Sequence, residues 1–314
     1  MNETLIKANG LSLPYTAYGT GVVGHYSTNF KLMANYKLRL MLSSIKHRYI
    51  HRQLVIDFCS PKLVRAAYNN GVRFFDTGRI YGKSELAIGQ GLKGIERSSY
   101  TICTKISDLN LLQEHTPNDC IGNLKLSLKY LRTNFIDLWL LHHPHGPWLD
   151  MWKEMEKARK IGLVKAIGVS NFSVDDFVKL ERIAESMPMV CQNERHPLFL
   201  NKEVFDYCKT NKILFMAHTP TAGRRKELTY NPAIVDLCNK YKKTVRQVIM
   251  RWHYQHGVVP VFSTSKRKHI RDNIDIFGFA LTDKEVCSID SLDVNLRLLD
   301  CLDGVDNPLY VYNL

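Results

Sequence analysis

Apolar residues along the chain follow two alternating patterns. Short apolar runs are typical of strands that are buried on both faces. Between these runs, apolar residues recur at helical spacing, as at Leu124, Leu128 and Leu131. The pattern predicts eight strands, at residues 15–20, 72–75, 100–104, 135–141, 164–169, 189–192, 213–217 and 258–262.

Many of the segments between these strands begin with residues that favour a helix N-terminus. In a capping box, a hydroxyl side chain and a side chain three residues later satisfy each other's backbone N–H groups. Segments of this kind start at Ser173-x-x-Asp176, Thr244-x-x-Gln247 and Thr282-x-x-Glu285. A capping residue followed by proline, which favours the first helical position, occurs at Ser60-Pro61, Thr116-Pro117 and Asn231-Pro232.

This strict alternation of strands and helices predicts a parallel sheet with right-handed crossovers. Eight repeats favour a closed (β/α)8 TIM barrel, as a single α/β domain over residues 1–314. An open doubly wound sheet is the alternative. Its dinucleotide fingerprint G-x-G-x-x-G is missing after the first strand, because Gly19-Thr20-Gly21 lacks the third glycine and the following helix.

Residues 25–59 interrupt the alternation of strands and helices and are interpreted as a basic insertion after the first strand. The segment includes Lys37 and Arg39 and has no acidic residue before Asp57. Two interpretations remain open: a segment that covers one barrel mouth or binds a partner, and a solvated basic excursion. Residues 293–314 are interpreted as a C-terminal tail.

The chain is basic, with 43 Lys and Arg against 30 Asp and Glu and a formal net charge of +13. Such a charge suits nucleic acid, a membrane face or an anionic small molecule, or is a general surface property. No nucleic-acid recognition motif accompanies it, so no nucleic-acid partner is expected. The sequence indicates no oligomeric state.

The cysteines, the N-terminus and the apolar stretches indicate the cellular compartment. None of the eight cysteines forms a C-x-x-C pair, which suits reduced thiols. The N-terminus lacks the charged start and apolar run of a signal peptide. No apolar stretch reaches the ~18 residues of a membrane span. We therefore expect a cytoplasmic protein.

Ionisable residues follow three neighbouring predicted strands. Asp76 and Tyr81 follow the second strand, Lys105 ends the third and His142 ends the fourth. Because the carboxyl ends of barrel strands form the active site, these four side chains are expected to converge on one mouth. A lone lysine at a strand end is usually a surface residue, but four complementary groups are a stronger signal.

The four groups suit the reduction of a carbonyl. Hydride addition to C=O builds negative charge on oxygen, which needs a proton donor. A free tyrosine, with a pKa of about 10, is a poor acid at neutral pH, but a nearby ammonium favours the phenolate. Lys105 is the candidate ammonium, Asp76 its ion-pair partner and His142 a hydrogen-bond donor to the carbonyl oxygen.

Several motifs resemble those of the aldo-keto reductases over nearly the whole chain. Residues 76–82 are similar to the family's D-T-A-x-x-Y-G, residues 162–172 to its most specific signature, and residues 192–197 to its next block. The resemblance implies that Tyr81 is the general acid, supported by Asp76, Lys105 and His142. It also implies that Ser170, Asn171 and Gln192 hold a nicotinamide carboxamide. For Ser170 and Asn171, capping of the following helix is the alternative.

Two further segments resemble cofactor-binding blocks. His218-Thr219 stands where the family usually has a ring-stacking aromatic and a serine, so His218 is expected to stack on the nicotinamide and Thr219 to bind phosphate. The segment 263–273 opens the helix after the last strand, and helix N-termini attract anions. The cofactor-binding candidates there are Thr264, Ser265, Lys266, Arg271 and Asn273. Its basic cluster favours NADPH over NADH, and a solvated helix start is the alternative.

The substrate is expected to be a small aldehyde, ketone or sugar. His143 and Trp148 are candidate pocket residues, with Tyr310 and Tyr312 of the tail, and ordinary packing is the alternative for each. The spacing of the histidines at 142, 143 and 145 fits no common zinc pattern, so no metal is expected. A cofactor-binding sensor or regulatory subunit with little turnover is the alternative to an active reductase.

Overall fold

The computed structural model describes residues 5–8, 10–20, 61–111 and 119–299. The predicted insertion at 25–59 lies outside these residues, as do Tyr310 and Tyr312. Within the described part of the chain, no helix combines the length and the apolar character needed to cross a bilayer.

Eight parallel strands form the closed barrel that the sequence predicts; they follow one another in chain order, and the last strand pairs with the first to close it. The barrel strands are β3 (Ala17–Gly19), β4 (Phe74–Asp76), β5 (Thr101–Ile106), β6 (Ile136–Leu141), β7 (Val164–Ser170), β8 (Val190–Glu194), β9 (Leu214–His218) and β10 (Val259–Phe262). Each lies within about two residues of its predicted position. The fold is therefore a (β/α)8 barrel.

The helices follow the barrel strands along the chain. Those described are α1 (Pro61–Asn69), α2 (Ser84–Gly91), α3 (Asp108–Leu111), α4 (Cys120–Leu131), α5 (Trp148–Lys160), α6 (Val174–Glu181), α7 (Lys202–Thr210), α8 (Lys226–Thr229), α9 (Pro232–Tyr241), α10 (Val245–Gln255), α11 (Arg267–Ile274) and α12 (Asp283–Asp290). Short 3-10 turns cover Arg97–Ser99 and Ala222–Arg224.

The local signals for helix starts are mostly confirmed. All three capping boxes are formed, at α6, α10 and α12, and the Asn231 side chain caps α9. The helix predicted to begin at Thr116-Pro117 begins instead at Cys120, as α4 with Asp119 as its cap, and Thr116 itself lies outside the described residues. The Asp119 carboxylate accepts from the N–H of Gly122, and aspartate is a stronger N-cap than threonine.

The strands of the barrel alternate between an inner and an outer core. Leu138 and Leu140 of β6 point into the barrel, where they pack with Phe74 and Cys103. Trp139 and Leu141 belong to the cluster between the strands and the helices. This period of two is what a closed sheet with helices outside requires, because both strand faces are buried.

A hairpin that the sequence reading missed closes one end of the barrel. Strands β1 (Leu5–Ala8) and β2 (Leu11–Pro14) pair in antiparallel fashion. Ile6 and Leu13 join the inner core of the barrel. Because β2 leads directly into β3, the hairpin lies at the amino ends of the strands, and the opposite end remains for the polar side chains.

Gly168 of β7 allows three site-bearing strands to approach one another closely. A Cβ atom at this position would lie 2.5 Å from the carbonyl oxygen of Val190 in β8 and 2.7 Å from Cδ2 of Leu140 in β6. These contacts are shorter than real Cβ atoms tolerate, and one of them is to backbone. Glycine at 168 therefore sets the spacing of the strands that end near the site.

We expect Gly168→Ala to lower the free energy of unfolding by about 1–3 kcal/mol, as overpacking of a core does. Gly278→Ala is the matched control, because a Cβ there would meet only the tip of Lys243, at 3.7 Å, and its effect is expected to stay below about 0.5 kcal/mol. Urea denaturation of the three proteins measures both values. Equal stability of the two variants would contradict the close approach of β7 to β8.

Candidate active site

A buried ion pair lies at the carboxyl end of the barrel. The Lys105 ammonium donates to both carboxylate oxygens of Asp76, at 2.6 and 2.8 Å, and to the carbonyl oxygen of Thr77 at 2.8 Å. Lys105 is 1% exposed and Asp76 3%. Burial by itself lowers the pKa of Lys105, but the Asp76 carboxylate and the Tyr81 phenol outweigh it and raise that pKa. Lys105 is therefore a fixed positive charge.

The Tyr81 phenol lies between this ammonium and an imidazole. Its hydroxyl is 3.1 Å from Nε2 of His142, and the Lys105 Nζ lies 5.3 Å from the centre of its ring. A Cβ atom at Gly78 would come within 3.1 Å of the Tyr81 ring, so glycine at 78 leaves room for it. The structure thus brings all four residues of the predicted catalytic group together.

His142 is buried beside the phenol and stays neutral. Burial lowers the pKa of His142 well below its usual value, and the nearby His143, Lys105 and His218 lower it further. Its ring stacks on that of His143, with 4.2 Å between the ring centres. A neutral imidazole has one donor and one acceptor nitrogen. Nδ1 of His142 is buried without a hydrogen-bond partner among the residues that the structure describes.

Three amide and hydroxyl side chains connect this group to strands β7 and β8. The Ser170 hydroxyl donates to the carbonyl oxygen of Gln192 at 2.7 Å. The Gln192 side-chain amide donates to Asp76 at 2.8 Å, and that of Asn171 donates to the carbonyl oxygen of His142 at 3.0 Å. All three are buried. The predicted carboxamide-binding residues and the ion pair therefore form one continuous network.

The helix-capping alternative for Ser170 and Asn171 is wrong. The residue that caps α6 is Ser173, whose hydroxyl accepts from the N–H of Asp176. Ser170 and Asn171 make their contacts across the mouth instead. Their hydroxyl and amide groups, like the amide of Gln192, offer both donors and acceptors. A carboxamide ligand needs both. The residues present here fit a nicotinamide.

His218 ends β9 and contacts Asn171. Its Nε2 lies 2.9 Å from Oδ1 of Asn171, and its Nδ1 lies 3.2 Å from the Thr219 hydroxyl. Burial lowers the pKa of His218 to about 4; the Glu194 carboxylate opposes this, while Lys105 lowers that pKa further. The imidazole is therefore neutral near pH 7. Stacking of His218 on a nicotinamide and phosphate binding by Thr219 stay predictions.

The segment expected to bind phosphate opens α11. Lys266 is the N-cap of this helix and makes no side-chain capping bond, and Ser265 and Lys266 are exposed. The Thr264 hydroxyl accepts from the N–H of Lys266 at 3.1 Å. A basic helix N-terminus of this kind suits an anion. Arg271 is exposed on the same helix, whereas Asn273 is 3% exposed.

The two candidate pocket residues have different surroundings. Nδ1 of His143 lies 3.2 Å from the side-chain nitrogen of Asn171, within the network at the mouth. Trp148 begins α5, is 8% exposed and packs edge-on against Phe172, with ring centres 5.2 Å apart. It belongs to the core between strands and helices, and its place in a substrate pocket stays a prediction. Among the described residues, no group of three or more His, Cys, Asp or Glu side chains is arranged to hold a metal ion.

Sequence reasoning missed the role of Glu194. This carboxylate is 2% exposed and accepts from the backbone N–H groups of Leu298 and Leu299, at 2.7 and 2.8 Å, and binds His196 at 2.9 Å. Burial raises the pKa of Glu194, but the hydrogen bonds with His196 and Leu298 and the nearby His218 outweigh it and lower that pKa. Glu194 therefore anchors the beginning of the C-terminal tail beside His218. The sequence could have indicated this residue, because Glu194 lies within the block at 192–197 that resembles a family motif.

Comparison with known proteins agrees with this architecture. The glyoxal reductase of Bacillus subtilis (strain 168) is 37% identical over 238 residues, which cover 75% of this chain and 84% of that protein. An uncharacterized oxidoreductase of the same organism, YtbE, is 34% identical over 250 residues, covering 77% and 87% respectively. The crystal structure of a Bombyx mori aldo-keto reductase in complex with NADP has a TM-score of 0.78 at 27% identity and covers 99% of both chains.

The model of the Aldo/keto reductase family matches residues 43–294, which include every strand of the barrel after β3. The same residues carry the ion pair, the phenol and the amide network. On sequence, fold and site together, this chain belongs to the aldo-keto reductase family.

Proposed function

We propose that this protein reduces a small carbonyl compound to an alcohol with NADPH, and that Tyr81 is the general acid. The observation that carries the proposal is the position of the Tyr81 hydroxyl, 3.1 Å from Nε2 of His142, beside the buried Lys105 ammonium. The phenol is thereby flanked by one positive charge and one neutral hydrogen-bonding group.

Each residue has a distinct task in this proposal. The reduced nicotinamide supplies the hydride when bound. Tyr81 gives its proton to the oxygen of the carbonyl as negative charge builds there, and the Lys105 ammonium stabilises the phenolate that remains. His142 stays neutral, so it orients the carbonyl by a hydrogen bond without competing as an acid. Asp76 holds Lys105 in place.

The donor set at the mouth and one relative support the proposed cofactor. Ser170, Asn171 and Gln192 hold the carboxamide. NADPH is favoured over NADH because the exposed start of α11 carries Lys266, Arg267 and Lys268, which suit an additional phosphate. The Bombyx mori relative was crystallised in complex with NADP, which supports the same choice.

A small aldehyde, ketone or sugar remains the proposed substrate, and similarity to a glyoxal reductase supports a small carbonyl compound. The single-domain organisation and the cytoplasmic location also remain proposals. All six cysteines within the described ranges are free thiols, which suits a reducing compartment.

Replacement of Tyr81 tests the proton donor. We expect Tyr81→Phe to lower kcat for NADPH oxidation by about 10²–10⁴-fold with a panel of aldehydes, because the general acid is removed. The Kd for NADPH is expected to stay near its original value. Tyr207→Phe, which removes a hydroxyl at the surface end of α7, is the matched control and should keep full activity.

An unchanged kcat in the Tyr81 variant would show that Tyr81 is not the general acid. Tight NADPH binding by the unaltered protein without turnover of any carbonyl would instead favour a cofactor-binding sensor.

Replacement of two basic residues tests the choice of cofactor. We expect Lys266→Ala combined with Arg267→Ala to raise the Kd for NADPH by about tenfold or more, because a charge-assisted hydrogen bond contributes about 1.5–3 kcal/mol. The Kd for NADH, which lacks the additional phosphate, should change by less than about twofold. Lys209→Ala on the far end of α7 is the charge control. An equal loss of affinity for both cofactors would contradict recognition of that phosphate at α11.

A further inference from the structure

The hydrogen bonds around Asn171 fix which way its side-chain amide points. One amide atom lies 3.0 Å from the carbonyl oxygen of His142, a group that only accepts. That atom must therefore be the nitrogen, and the amide oxygen must face His218, whose Nε2 is 2.9 Å away. Because an amide oxygen only accepts, Nε2 of His218 carries the proton and donates it.

The second nitrogen of His218 is consistent with this tautomer. A neutral imidazole that carries its proton on Nε2 accepts at Nδ1. The Thr219 hydroxyl, 3.2 Å from Nδ1, supplies a donor there. Asn171 and Thr219 both have left-handed backbone angles, with φ of 61° and 52°. The imidazole is therefore held at both nitrogens by residues whose backbones are themselves constrained.

The charged groups that act on His218 come from four surrounding elements. Glu194 of β8 and Asp76 of β4 favour its protonation, while Lys105 of β5 and Arg297 of the C-terminal segment oppose it. With burial, these groups leave the pKa of His218 at about 4. The donor at Nε2 and the acceptor at Nδ1 therefore persist throughout the neutral range.

We propose that His218 is a positioning residue, which together with the carbonyl oxygen of His142 holds the Asn171 amide so that its oxygen and nitrogen are presented in a fixed order to the carboxamide of the cofactor. This inference rests on the proposed function and makes it more specific. A ring without an N–H at this position would pack against Asn171 but leave the amide oxygen without its donor, so that the amide would be oriented from its nitrogen side alone. The imidazole thus adds a directional hydrogen bond to whatever ring contact His218 makes.

The test measures coupling between residue 218 and the carboxamide. The Kd values of NADP+ and of its 3-acetylpyridine analogue, which has a methyl group in place of the amide nitrogen, are determined by fluorescence titration. The proteins are the unaltered chain, His218→Phe, which keeps a ring without a donor, and His218→Gln, which keeps a side-chain N–H. The Kd of 2′-phospho-ADP-ribose, which lacks the nicotinamide, serves as the control for folding and phosphate binding.

We expect the unaltered protein to prefer NADP+ over the analogue, and His218→Phe to lose about tenfold of that preference, the effect of one hydrogen bond of about 1.4 kcal/mol. His218→Gln should retain most of the preference, and all three proteins should bind 2′-phospho-ADP-ribose equally. An unchanged preference in His218→Phe, or an equal loss of affinity for all three ligands, would overturn the positioning role. If the unaltered protein discriminates as expected but reduces no carbonyl compound, the reductase function fails and the positioning role stands.

Discussion

The buried pair of Lys105 and Asp76 is the interaction on which the rest of the site depends. Taking two charges out of water costs several kcal/mol per ion, and the pair is tolerated only if its remaining hydrogen-bonding capacity is satisfied. Here the ammonium uses its three donors on Asp76 and Thr77, and Gln192 donates to the same carboxylate. The need to satisfy the pair therefore links β4, β5 and β8 at their carboxyl ends.

The histidines around this pair are neutral near pH 7. The imidazoles of His142, His143 and His218 all have lowered pKa values, chiefly through burial, and the Lys105 ammonium lowers each of them further. The positive charge that acts on Tyr81 therefore resides on a lysine, whose state does not change near pH 7. The imidazoles are left as neutral hydrogen-bonding groups, so proton donation and orientation fall to different residues.

The fold could be predicted from the sequence to within about two residues per strand, because strand, turn and cap signals are local. The convergence of the four catalytic candidates could also be predicted, because the carboxyl ends of parallel strands meet at one end of the barrel. The hairpin at the amino end was missed, although Asn9-Gly10 between two short alternating runs is typical of a two-residue turn. Helix α2 was also missed, because its short segment contains two glycines, Gly89 and Gly91, and glycine is a poor helix former.

Other features depend on contacts between distant segments and leave little trace in the sequence. The bond between His218 and Asn171 joins residues 47 positions apart, and Glu194 anchors residues more than a hundred positions later. The edge-on contact of Trp148 with Phe172, which directly follows Asn171, likewise joins residues far apart in the sequence. The sequence thus indicates which chemical groups form the site, but not which of them hydrogen-bond to one another.

The ionisation of the Tyr81 phenol tests the central claim most directly. Its titration can be followed by NMR with tyrosine labelled with carbon-13 at Cζ, and the signal assigned by its loss in Tyr81→Phe. The account predicts that Lys105→Met shifts this titration to higher pH by about one unit or more, because the ammonium that favours the phenolate has been removed. Titration of the phenol at the same pH in both proteins would contradict it.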